Sequence, residues 1–134
     1  MTTIDIESFI FSRIATVLRE RYGAYVTGEY TDSPAKFPSV TIAEASNTVL
    51  QKMRTRNIEN AATVLYEVNI YSNKVGYGKM EAKELLQTVD EEFSKLNFTR
   101  ILMNPVANLN DATIYRIVAR YQAVVDKEYR IYTN

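Results

Sequence analysis

Thr113-Ile114-Tyr115-Arg116-Ile117-Val118-Ala119-Arg120-Tyr121-Gln122-Ala123-Val124-Val125 alternates in character along its whole length. Successive side chains of a strand point to opposite faces, so this stretch predicts one long ribbon with two unlike faces. Thr113, Tyr115, Ile117, Ala119, Tyr121, Ala123 and Val125 make a face apolar enough to sit on a core. Ile114, Arg116, Val118, Arg120, Gln122 and Val124 make a mixed face suited to water or a partner. A strand of about 13 residues is long against a typical five or six. Little else in the chain offers chemistry, so function is expected in its surfaces rather than in a catalytic pocket.

The chain has 134 residues, of which 46% are hydrophobic, enough for one domain, 1–134, with a core of its own. No run of eighteen apolar residues is present, so no membrane span or membrane partner is expected. Met1-Thr2-Thr3-Ile4-Asp5 lacks the basic-then-apolar pattern of a secretory leader. With no Cys there are no disulfides or thiolate metal sites, which fits a reducing compartment. With no His the usual general base, zinc ligand and pH switch are missing. No catalytic residue, metal site or cofactor is therefore expected. Sixteen basic residues balance sixteen acidic ones, whereas dedicated nucleic-acid binders carry a strong basic excess.

Working outward from the long strand, residues 4–22 read as a helix. Ile6, Phe9, Ile10, Ile14, Val17 and Leu18 form its apolar stripe, Asp5 its N-cap and Gly23 its stop. A short strand is expected over 24–30, then a turn-rich loop and a strand over 39–43 entered through Pro38. Residues 47–60 are irregular in pattern and basic, with Lys52, Arg54 and Arg56, and read as a projecting arm. Strands follow over 63–72 and 98–103, and 104–111 reads as a turn-rich link through Pro105. Between the two strands lies a helix over 79–96, with Ala82, Leu85, Leu86, Val89, Phe93 and Leu96 as its stripe. The order predicts an α+β fold: a mostly antiparallel sheet of four to five strands with two helices packed on one face.

Gly76-Tyr77-Gly78-Lys79 invites a phosphate-loop reading, but one residue separates the glycines and Met80 follows the lysine. A phosphate loop needs four residues between its glycines and Ser or Thr after the lysine, so a turn before a helix is expected. Asp90, Glu91 and Glu92 are adjacent on a helix and fan out around its axis, which does not suit a cation site. Glu67 stands among apolar neighbours on a strand and is expected to pair with an arginine across the sheet. Arg116 and Arg120 share one face of the final strand, about 13 Å apart. With Lys52, Arg54 and Arg56 nearby they would make a basic strip, but Tyr115 and Tyr121 lie on the opposite face, away from it.

Lys36-Phe37-Pro38-Ser39-Val40-Thr41-Ile42 after a turn-rich loop, Val68-Asn69-Ile70-Tyr71-Ser72 before the second helix, and the closing Tyr115-Arg116-Ile117-Val118-Ala119-Arg120-Tyr121 strand carry a resemblance. Together with the order of elements they resemble the tail terminator (tail completion) proteins of long-tailed bacteriophages. The resemblance implies a protein forming a six-fold ring at the head-proximal end of the tail tube, in the neck of a virion assembled in the bacterial cytoplasm. Its implied partners are further copies of itself, the tail tube protein and head-tail connector proteins, with DNA only passing through the lumen. No cofactor and no catalytic residue are implied. Ring contacts join unlike patches of neighbouring subunits. The candidate patches are Asp90, Glu91 and Glu92 against the basic residues Lys52, Arg54, Arg56, Arg116 and Arg120. A head-tail connector or stopper of the neck is the close alternative. A small nucleic-acid-binding protein, resting on the basic arm, comes next, and an enzyme third.

Overall fold

The computed structural model describes residues 3–31, 34–50, 60–107 and 111–132. Lys52, Arg54 and Arg56 lie outside the described residues. The elements run α1 (Glu7–Tyr22), β1 (Tyr25–Thr27), β2 (Ser39–Val49), β3 (Ala61–Ser72), α2 (Gly78–Lys95), β4 (Thr99–Val106), β5 (Tyr115–Asp126) and β6 (Ile131–Tyr132).

The long strand foreseen in the sequence is β5, and it pairs antiparallel with β3 along the full length of both, from Ala61 opposite Asp126 to Ser72 opposite Tyr115. The other strands extend this pair into one open sheet of order β1-β2-β3-β5-β4, with β6 also on β5. The sheet is mostly antiparallel. It holds six strands rather than four to five, because the chain beyond β5 folds back so that Ile131 and Tyr132 pair with Val125 and Val124. The β1–β2 pair is parallel, Tyr25 opposite Ser39 through Thr27 opposite Thr41. The stretch between them is long enough to return the chain to the start of the ladder, as parallel pairing requires.

Side-chain alternation decides which residues enter the core. Val64, Tyr66, Val68 and Ile70 of β3 and Ile117, Ala119, Tyr121, Ala123 and Val125 of β5 are buried in one cluster. The same cluster takes in Ile10, Ile14 and Leu18 of α1 and Leu85, Val89 and Phe93 of α2. Most of the helix stripes read from three- and four-residue spacing are thus buried; Phe9, read as part of the α1 stripe, is exposed at the surface, and Val17 and Leu96 are half-buried. An aromatic group centres the packing. Phe93 stacks on Tyr121 at 4.2 Å between ring centroids, and meets Phe98 edge-on at 5.1 Å. Tyr66 meets Phe98 edge-on at 5.6 Å. The two helices touch through the Tyr22 and Thr88 hydroxyls, 2.6 Å apart.

Element ends differ from the sequence reading for local reasons. Helix α1 begins at Glu7 with Ile6 at the cap position, yet Asp5 Oδ1 still accepts the Glu7 N–H at 3.0 Å. Gly23 ends the helix in the left-handed conformation, φ 62°, as a C-terminal glycine does. Strand β4 runs on through Pro105, which the sequence pattern places in a link. Proline is tolerated there because β4 is an edge strand, where a missing N–H interrupts no ladder.

Phe93 is fully buried at the centre of the aromatic group. Phe93→Ala is expected to lower stability by about 3–5 kcal/mol in denaturant unfolding.

Candidate interaction surfaces

The two arginines of β5 are engaged within the molecule. Arg120 bonds Glu67 at 3.0 Å, and the two residues are register partners, as expected of Glu67. Arg116 donates from Nε and Nη2 to Asn69 Oδ1, at 3.0 and 2.8 Å. Its guanidinium also lies over the Tyr30 and Tyr71 rings, 5.2 and 5.6 Å from their centroids. Their positive charge is therefore shared with side chains of the same sheet face rather than presented bare.

Asp90, Glu91 and Glu92 do fan out, and they meet three different environments. Glu91 is exposed. Asp90 Oδ1 accepts the Tyr121 hydroxyl at 3.1 Å and Arg100 Nη1 at 3.3 Å. Burial, together with the Asp90 carboxylate, pushes the Tyr121 hydroxyl well above the ordinary tyrosine range. Glu92 is only 3% exposed and is held by Lys95 at 3.0 Å and Arg13 of α1 at 3.5 Å. Burial opposes its charge, but Lys95 and Arg13 outweigh that and hold the carboxyl below its usual range. Glu92 thus ties α2 to α1, and the three acids do not make one acidic face.

An acidic cluster that the sequence does not reveal lies where α1 begins. Carboxylate oxygens of Asp5, Glu7 and Glu44 fall within 4.8 Å of one another. Glu44 belongs to β2 and is 37 residues from Glu7, so only the folded sheet brings them together; its backbone N–H donates to Glu7 Oε2 at 2.8 Å. Glu44 Oε1 accepts the Tyr66 hydroxyl and Asn47 Nδ2, both at 3.3 Å. Burial and the nearby Asp5 and Glu7 charges raise the Glu44 carboxyl above its ordinary value. These three carboxylates are the set among the described residues with metal-ligating spacing, and each carboxylate accepts a hydrogen bond from the protein.

Beside this cluster runs a largely apolar groove of about 450 Å³ lined by Asp5, Ile6, Ser8, Phe9, Tyr129 and Ile131. Tyr129 is presented by the turn between β5 and β6. Asp126 braces that turn, accepting the Glu128 and Arg130 N–H groups at 2.9 Å, Arg130 Nε at 2.9 Å and the Tyr132 hydroxyl at 3.0 Å.

The other end of the β3–β5 ladder carries a contrasting surface. Past Ser72 the chain turns through Gly76, φ 77°, into α2. A Cβ on Gly78 would stand 3.3 Å from Tyr115 Cβ, so the glycines of the Gly-Tyr-Gly-Lys stretch serve the turn and the close helix–strand approach. Around them Val75, Tyr77 and Met80 are 94%, 56% and 67% exposed, beside Lys74, Lys79 and Lys83.

The sheet edges also differ. On β1, Arg19 Nη2 donates to the Val26 carbonyl at 3.1 Å, which occupies that edge. On β4, seven of eight residues are exposed, Ile101, Met103 and Val106 among them. No family model matches the chain, and no curated protein matches it.

The two perturbed glutamates predict opposite pH effects on stability. Glu92→Gln is expected to lose about 1–3 kcal/mol near neutral pH. That difference fades as the pH falls below about 4.3 and through the depressed value of Glu92 in the folded protein. Glu44→Gln is expected to gain stability near neutral pH, because the ionised carboxylate is disfavoured in the folded state. That gain disappears as the pH falls below the ordinary glutamate value. Urea titrations across this pH range measure both.

Proposed function

We propose that this chain is a structural subunit of the neck of a long-tailed bacteriophage, a tail terminator. Its copies close into a ring on the head-proximal end of the tail tube, stop tube polymerisation and offer a docking surface to the head. The tube protein and head-tail connector proteins are its partners, DNA passes through the lumen without being a ligand, and assembly takes place in the host cytoplasm. The observation that carries this reading is the β4 edge. A long edge strand with exposed apolar side chains presents unpaired backbone groups that another chain can complete.

We also infer that both helices cover one face of the sheet. The alternating residues of β3 and β5 that share a cluster with α1 and α2 support this. The opposite face then carries the Glu67–Arg120 and Asn69–Arg116 pairs. This gives a rigid body with its contact surfaces at its ends and edge, the kind of part a ring requires.

Size-exclusion chromatography with light scattering on concentrated protein, followed by negative-stain imaging, tests the reading. A ring of about six subunits is expected, by closure of one repeated head-to-tail contact. A protein that stays monomeric both alone and with tube protein contradicts it.

A further inference from the structure

We infer that copies of this chain join head to tail, the lysine-flanked apolar cap at the start of α2 on one copy seating in the acid-rimmed groove between α1 and β6 on the next. This rests on the ring reading and names the contact that would build the ring.

The two surfaces lie at opposite ends of the β3–β5 ladder. The groove adjoins the turn after Asp126, which pairs with Ala61; the cap follows Ser72, which pairs with Tyr115. One domain therefore carries both halves of the contact, at opposite ends of its longest strand pair. Such a contact is heterologous, and repeated rotation about it closes a ring.

Their chemistry matches in both shape of polarity and sign of charge. The groove offers Phe9, 51% exposed, together with Tyr129 and Ile131, and the cap offers Val75, Tyr77 and Met80. Large apolar side chains grouped in this way on a small domain mark an interaction surface. Among the described residues no lysine or arginine forms an ion pair with Asp5, Glu7 or Glu44. Likewise no carboxylate pairs with Lys74, Lys79 or Lys83. Glu81 is engaged by the Ser72 hydroxyl at 2.6 Å, which leaves Glu84 as the exposed acid beside the cap.

A lysine brought to the groove meets Asp5 on its lining, with Glu7 and Glu44 beside it, and the three lysines of the cap outnumber its two acids, Glu81 and Glu84. The chain as a whole is neutral, with sixteen charges of each sign, so neither surface is part of a uniformly charged molecule. That favours a second copy as the occupant over an unrelated acidic or basic protein. Opposed charges of this kind set register and reject wrong pairings, while the apolar centre supplies affinity.

Two variants test this, each altered at exposed positions of one surface: Lys79→Glu with Lys83→Glu on the cap, and Ser8→Lys with Phe9→Lys in the groove. Sedimentation velocity is run on wild type, on each variant and on a 1:1 mixture, with melting curves to confirm folding. Wild type is expected to self-associate, and each variant to remain monomeric with association weakened at least about tenfold. The mixture retains one intact cap and one intact groove, so it is expected to associate where neither variant does alone. A monomeric wild type, folded variants that assemble as wild type does, or a mixture that stays monomeric would each overturn the contact. Rings that persist in both variants would sink this contact alone and leave the neck reading standing; wild type that neither associates nor binds tube protein would remove that reading too.

Discussion

The β3–β5 ladder is the constraint on which the rest of the structure depends. Two long strands pair without a break, and each has one face that must be buried and one that need not be. A slip of one residue would exchange those faces, so the register is strongly specified. On the buried face Tyr66 and Tyr121 are register partners, and Phe93 brings α2 onto them. On the other face the same register sets Glu67 against Arg120. The hydrophobic cost of exposing the tyrosines and the charge pairing across the strands thus enforce one alignment.

The ladder also fixes what lies at each end. It places the hairpin turn braced by Asp126 at one end and the Gly76–Gly78 turn at the other. Asp5, Glu7 and Glu44 gather where α1 starts, and Lys74, Lys79 and Lys83 stand with Glu81 and Glu84 where α2 starts. The helices are then tied to each other by Tyr22 with Thr88 and by Arg13 with Glu92. Buried Glu92 has two cationic partners, so its charge is compensated instead of left as a free surface acid.

Much of this architecture was legible in the sequence where periodicity is strong. The two faces of β5, most of both helix stripes, the Gly23 stop and the Glu67–arginine pair follow from spacing and side-chain type, while Phe9 of the α1 stripe turned out exposed. Short strands were not legible. Two residues of β6 and three of β1 carry no period of their own and are set by pairing with β5 and β2. Pro105 misled because its meaning depends on whether a strand lies at an edge, which is a property of the whole sheet. The candidate surfaces were legible only in part. Asp90, Glu91 and Glu92 look alike in sequence, yet helix geometry gives one to Arg100, one to water and one to the core. The Asp5–Glu7–Glu44 cluster was invisible because it joins a helix start to the middle of a distant strand. Val75, Tyr77 and Met80 did carry a signal, three large apolar residues in a glycine turn where polar ones are usual.

The central claim is that this subunit finishes a tube by closing a ring on its end. Electron microscopy of tail tubes grown with and without the protein tests that most directly. The account predicts ring-shaped density at one end of each tube and an end to elongation there. Tubes that keep growing at both ends, with no density added, would contradict it.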